Sequence, residues 1–217
     1  FRFSPNVEMA RRYVQSGKLG KLYYAGATTL RRRGRPGLDI LQGSKWFLDS
    51  SKAGGGALID IGCYDVDVLL YLAGSLQPEA VTAATFRGVG KLPALDVPYD
   101  VEEHVTLFVR FQDGLAATFE TAWASNMQGA DSMLLFGSKG GLRVSPFTFY
   151  TEQRGKQTAV SFELPYGKRE AFIEDFIQAC RGGEPKTPGE DGLKVMQVID
   201  MAYASARLGR EATLKDI

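Results

Sequence analysis

One histidine and two cysteines in 217 residues leave little with which to bind a metal ion. Cys63 and Cys180 belong to no Cys-x-x-Cys or Cys/His pattern, which excludes the usual zinc and iron–sulfur ligand sets. Both have apolar neighbours on predicted helices, the placement of buried, reduced thiols in a cytoplasmic protein. The lone His104 has no Ser, Cys or ligand partner beside it and is expected on a sheet surface rather than in catalysis. No long apolar run and no signal pattern occur, so nothing predicts a membrane span. Charge is nearly balanced, 26 Lys and Arg against 25 Asp and Glu, which gives no field to draw in nucleic acid or anionic lipid. The one basic cluster, Arg31-Arg32-Arg33-Gly34-Arg35-Pro36, reads as a loop at a strand end and not as a nucleic-acid site. Neither a Gly-x-Gly-x-x-Gly after a predicted strand nor a Gly-x-x-x-x-Gly-Lys-(Ser/Thr) loop is present. The nearest imitations, Gly88-Val89-Gly90-Lys91 and Gly137-Ser138-Lys139-Gly140-Gly141, lie between strand-like runs.

What is there is enough for one domain with a single core. Ser4 followed by Pro5 predicts a helix to about residue 16, closed by Gly17. A strand is expected over 22–31, then a long Gly/Pro-rich loop that carries Lys45 and Trp46 and reads as a lid or binding loop. Strand-like runs follow at 79–87, 100–111, 115–124, 131–136, 142–152 and 157–164, and helices at 168–181 and 189–208. Strands grouped together with helices toward the ends indicate α+β: one large, mostly antiparallel mixed sheet with helices on one face. At Gln112-Asp113-Gly114 a three-residue loop with a left-handed Gly114 sets Val105, Leu107, Val109 and Phe111 on the same face as Leu115, Ala117, Phe119 and Trp123. His104, Thr106, Phe108 and Arg110 then share the other face with Thr118, Glu120 and Ala122. That half-apolar face, continued by Met133-Leu134-Leu135-Phe136, predicts self-association into a homodimer or homotetramer.

The most informative stretch is Gly54-Gly55-Gly56-Ala57-Leu58-Ile59-Asp60-Ile61-Gly62-Cys63-Tyr64-Asp65-Val66-Asp67. Helical spacing puts Asp60, Tyr64 and Asp67 on one face near a helix N-terminus, with Leu58, Ile61, Val66, Leu69, Leu70 and Leu72 as the buried stripe and Gly74 as the stop. Spacing alone leaves open a capped core helix with three solvated polar residues.

The pattern Gly-Gly-Gly-x-Leu-x-Asp-x-Gly-x-(His or Tyr)-x-x-Asp resembles the second-domain signature of the glucose-fructose oxidoreductase, inositol dehydrogenase and rhizopine-catabolism superfamily, Gfo/Idh/MocA. Arg2-Phe3-Ser4-Pro5, Gly17-Lys18-Leu19-Gly20-Lys21 and Pro188-Gly189-Glu190-Asp191-Gly192 resemble further segments of that family in the same order, across nearly the whole chain. The resemblance implies a fold like the C-terminal domain of glyceraldehyde-3-phosphate dehydrogenase, and an NAD(P)-dependent oxidoreductase acting on a sugar, polyol or keto-sugar. The family's first domain, a Rossmann unit that binds most of the NAD or NADP, has no counterpart in these residues. Residues 1–217 are therefore expected to be a substrate-binding and oligomerisation domain, inactive by itself.

By the same resemblance Asp60 contacts substrate hydroxyls. Tyr64, standing where His is commonest, serves in proton transfer or orients a hydroxyl. Arg2, Arg31, Arg33 and Trp46 join Asp60 around a carbohydrate-like substrate, Trp46 from the covering loop and the arginines as charged donors. Without hydride transfer, the same fold would be a binding or assembly module.

Overall fold

In the computed structural model, which describes residues 1–90, 94–164 and 170–217, the first helix starts where its cap requires. Ser4 is extended and its hydroxyl accepts the Val7 N–H, Pro5 occupies the first turn, and helix α1 runs Pro5–Gln15. Strand β1 (Leu22–Leu30) follows. The long connection after it contains a 3₁₀ turn at Lys45–Leu48 and a short helix α2 (Ser50–Ala53), so it has more local structure than its composition suggests. Helix α3 (Cys63–Ala73) ends on Gly74 in the left-handed region, φ 91°. The next strands are β2 (Pro78–Phe86), β3 (His104–Phe111), β4 (Ala116–Ala122) and β5 (Ala130–Gly137).

The single run expected over 142–152 is two strands, β6 (Gly140–Arg143) and β7 (Thr148–Gln153). Pro146 lies in the break, where a residue without an N–H cannot continue a ladder. After β8 (Lys156–Ser161) come α4 (Ala171–Cys180) and α5 (Gly189–Leu208). The predicted start of α4 at 168 lies outside the described residues.

The strands form one eight-stranded sheet in the order β2-β3-β4-β1-β5-β6-β7-β8. Among the described strands only the β1–β4 pair is parallel. The β3–β4 turn takes the three-residue form: Gly114 has φ 78°, and Leu107 faces Phe119 while Val109 faces Ala117. At the β2 edge, Val81 exchanges both backbone hydrogen bonds with Ala212, so the C-terminal segment covers what would be an open strand edge.

One face of the sheet carries the main core, with Ala25, Ala27, Leu107, Val109, Phe119 and Leu135 beneath Leu69, Leu70, Val198 and Ile199 of α3 and α5. The predicted stripe Leu58, Ile61, Val66, Leu69, Leu70 and Leu72 is entirely buried. The other face presents Phe108, Phe136 and Tyr150 to solvent. Ala122, expected there, is instead fully buried: it ends β4 where the chain runs on against residues 31–33. Cys180 is exposed and Cys63 half-buried, which corrects the expectation of two buried thiols. The reason is that α4 contributes no buried residue and so lends its last turn no cover.

Candidate active site

The glycine run holds the join between α2 and α3. Gly54 ends α2 with φ 78°, and the next two glycines pass through gaps without room for a side chain. A Cβ on Gly55 would lie 2.1 Å from the Tyr203 hydroxyl, and one on Gly56 2.0 Å from the Glu102 carbonyl oxygen. Residues Leu58–Gly62 then make a π-helical turn before α3, a local widening common where a helix carries function.

Glu102 fastens this turn. Its buried carboxylate accepts from the Gly56 N–H at 2.8 Å, the Leu58 N–H at 2.9 Å and the Tyr203 hydroxyl at 3.0 Å. It thereby satisfies N–H groups that a helix start leaves open. Burial outweighs those donors and pushes its pKa up. Its neighbour Glu103, fully buried, faces the other way. It accepts from Arg35 at 3.1 Å, from the Gly88 and Val89 N–H groups and from the Tyr99 hydroxyl. Although burial opposes ionisation, Tyr99, Val89, Arg35 and Gly88 together hold this carboxyl below the usual range.

The π turn aims Asp60 at Trp123, whose indole Nε1–H donates to Asp60 Oδ2 at 2.7 Å. Trp123 is fully buried and packs with Ala57, Ile61 and Val101 in a small cluster separate from the main core, joined by Phe47 and Tyr99. Cys63, at the start of α3, has its thiol pushed up to about 11 by burial and by the Asp60 charge, so it carries no nucleophilic thiolate near neutral pH. Tyr64 is 49% exposed, with its ring against Phe1 at 5.2 Å.

Trp46 is 48% exposed and lies on Phe47, centroids 3.9 Å apart and 25° between planes; Phe47 in turn meets Trp123 edge-on at 6.5 Å. The loop bearing Trp46, the buried indole and Asp60 are therefore joined by two ring contacts and one hydrogen bond.

Arg31 follows β1, its N–H bonded to the Ala122 carbonyl, one residue before Trp123. Its stem occupies the space over Gly34, where a Cβ would come within 2.7 Å of Arg31 Cδ. Arg33 ties the loop, donating to the carbonyls of Arg32 and Ser125 and to Asn126 Oδ1.

One expected member of the face, Asp67, and one expected substrate contact, Arg2, lie elsewhere. Asp67 receives Arg2 through both carboxylate oxygens, and Arg2 also donates to Asp191 at 2.7 Å and to the Lys186 carbonyl at 2.8 Å. At 2% exposure, Arg2 is a buried strut between α3 and α5 rather than a substrate contact, because its donors are already taken up by Asp67, Asp191 and that carbonyl. Asp65, the residue after Tyr64, turns toward the sheet and accepts the Thr29 hydroxyl at 2.7 Å. Burial raises its pKa to about 6, with the Asp131 charge adding to the effect. His104 lies on the open sheet face against Glu120 at 3.1 Å.

Sequence reasoning missed Glu102, Glu103 and the polar role of Trp123. Both acids fall inside the run read as a strand over 100–111, whereas β3 begins only at His104, and a Trp in a core register looks only apolar. The close packing of Gly56 against residue 102 is visible only once both segments are in place.

Residues 7–143 match the family model described as GFO/IDH/MocA C-terminal domain. Over 98% of its length the chain is 28% identical to a D-glucoside 3-dehydrogenase of Escherichia coli (strain K12), of which it covers 62%. An aldose-aldose oxidoreductase from Caulobacter crescentus, solved in complex with glycerol, aligns with a TM-score of 0.77 at 26% identity, over 98% of this chain and 62% of that one. A levoglucosan dehydrogenase in complex with NADH and L-sorbose shares the fold with a TM-score of 0.81 at 22% identity, over 98% of this chain and 64% of that one. The chain thus spans less than two thirds of the length of each of these relatives.

Proposed function

The chain belongs to the GFO/IDH/MocA C-terminal domain family, and from that premise we propose that it is the substrate-binding part of an NAD- or NADP-dependent oxidoreductase acting on a sugar, polyol or keto-sugar. The observation that carries the reading is the head of α3. There Asp60 is held by a buried indole, Tyr64 stands half-exposed four residues on, and an exposed Trp46 reaches the same place through Phe47.

The described residues fit the substrate side of such a reaction and not the dinucleotide side. Gly88 and Gly90 follow a strand and Gly137–Gly141 join two strands, whereas a pyrophosphate cradle needs glycines at a helix N-terminus. We assign most of the cofactor contacts to the part of the relatives' length that this chain does not span. The nicotinamide, when bound, supplies the hydride acceptor or donor.

This chain's residues hold the other reactant. Asp60 keeps Oδ1 free of the Trp123 bond and accepts a substrate hydroxyl, which orients the carbinol carbon. Tyr64 accepts the hydroxyl proton as phenolate in the oxidative direction and returns it as phenol in the reductive one. Trp46 covers the apolar face of the sugar ring, and Arg31, with the Arg33 donors not used in tying the loop, supplies hydrogen bonds to its oxygens. The exposed aromatic side chains of the open sheet face make it the surface through which subunits pair as a homodimer or homotetramer. No described helix is long and apolar enough to cross a membrane, and two unpaired cysteines suit the reducing cytoplasm.

The test uses the full-length enzyme with NAD⁺ or NADP⁺ and a panel of sugars and polyols. Tyr64→Phe should lower kcat by roughly 10²- to 10⁴-fold with folding intact, and Asp60→Asn should mainly raise KM. Unchanged kinetics in both variants would refute the assignment.

A further inference from the structure

We propose that Trp123 is a positioning residue for Asp60, and that Phe47 extends its control to the covering loop at Trp46; this rests on Asp60 being a substrate contact. A core tryptophan at this position could have pointed its N–H anywhere that offered an acceptor. Here it donates to one oxygen of Asp60 at 2.7 Å, inside a cluster where Trp123, Ala57 and Val101 are essentially inaccessible. A hydrogen bond from a neutral donor to a carboxylate in such surroundings is directional and stronger than one in water. It selects one rotamer of Asp60 and leaves Oδ1 as the acceptor available to a ligand.

The surrounding contacts show why the indole cannot drift. The turn bearing Asp60 is pinned by Glu102, and the backbone N–H of Trp123 donates to the Glu103 carbonyl at 2.8 Å, which fixes the segment that carries the indole. From the opposite side the Phe47 ring meets the indole nearly at right angles, 78° between planes, and Trp46 stacks on Phe47. A ring settling on Trp46 is thus connected to Asp60 through two further aromatic contacts and one hydrogen bond. Substrate packing against the loop and substrate hydrogen bonding at Asp60 become coupled events, as expected of a rigid chain of packed groups.

Trp123→Phe removes the N–H and keeps most of the ring. In the full-length enzyme, assayed with methyl D-glucoside, D-glucose and myo-inositol, it should lower kcat/KM about 10- to 100-fold, the cost of a lost charge-assisted hydrogen bond at a reacting group. In an Asp60→Asn background the same change should cost less than about 3-fold, because the group being positioned has already lost its charge. Phe47→Leu should show a smaller loss with the same non-additivity, and it serves where Trp123→Phe does not fold.

A second readout needs no turnover: the indole N–H resonance of Trp123, assigned by its disappearance in Trp123→Phe or by its response to Phe47→Leu, should shift in Asp60→Asn. An unmoved resonance, or losses that multiply in the double variants, overturns the proposal. If Asp60→Asn alone leaves kinetics unchanged while the resonance shifts, the catalytic reading of Asp60 has failed, and the hydrogen bond is only structural.

Discussion

Between the sheet and α1, α3 and α5 the buried side chains are almost wholly aliphatic or aromatic. Around Ala57, Ile61, Val101 and Trp123, by contrast, a far smaller apolar cluster shares its space with Arg35, Glu102 and Glu103, each nearly or fully inaccessible. Among the described residues, Arg2 is the one buried charge that braces the helix layer instead. The large core is held by area removed from water, a non-directional effect that many combinations of side chains would provide. The small cluster is held by directional bonds to charges whose burial is costly unless every donor and acceptor is met. Such an arrangement adds little net stability, yet it sets where a backbone turn and a carboxylate sit, which matters at a site and is immaterial in a core.

The largest expected effect breaks the small cluster at its fastening. Glu102→Leu leaves the Gly56 and Leu58 N–H groups and the Tyr203 hydroxyl without their acceptor, and should cost about 3–5 kcal/mol by urea denaturation. Leu69→Ala in the main core should cost a comparable amount, about 2–5 kcal/mol. The two should differ in consequence. The first should abolish activity in whatever protein remains folded, whereas the second should leave kcat and KM nearly unchanged. A Glu102→Leu variant as stable and active as the parent would remove the distinction between the regions.

A smaller effect concerns the seam where the two regions meet. Asp65 packs against Thr29 of the sheet with its pKa raised from 3.8 to about 6, so the folded chain binds this proton more tightly than the unfolded chain does. The stability associated with Asp65 is therefore fully present below about pH 4 and is lost as pH rises to about 6. Asp65→Asn should flatten that part of the stability profile and, above pH 6, stabilise the protein by roughly 1–2 kcal/mol once solvent screening is allowed for. Denaturation midpoints at pH 4.5 and 7.5 check it. A variant less stable than the parent at the higher pH would show that the charged form is welcome there.

The smallest expected change in subunit stability is on the open sheet face. Phe108→Asp, at a position 39% exposed, should shift the unfolding free energy of the subunit by less than about 0.5 kcal/mol. It should nevertheless convert a homodimer to monomers in light scattering at low micromolar concentration. A parent protein that is monomeric at high concentration would rule out that interface.

The periodic parts of this protein were legible from the chain alone. Ser4-Pro5 and Gly17 bracket α1, Gly74 stops α3, and Gly114 sets the β3–β4 register. The apolar stripe from Leu58 to Leu72 is buried as its spacing requires. In each case the decisive interaction lies within a few residues, or recurs at the period of a helix or strand, so the sequence contains the whole reason. Asp60 and Tyr64 were legible as a pattern at helical spacing. Their surroundings were not.

Tertiary structure alone decided which charges were spent on the fold and which were left unspent. Arg2 and Asp67 lie 65 residues apart, Trp123 and Asp60 lie 63 apart, and Glu102 reaches Gly56 across 46. Whether a carboxylate or guanidinium is buried and paired depends on what the folded chain brings within about 3 Å of it, a range over which sequence periodicity says nothing. Local composition and spacing thus determined the elements and their buried faces. The polar assignments waited for the packing, because hydrogen bonds are short and directional where the hydrophobic effect is neither.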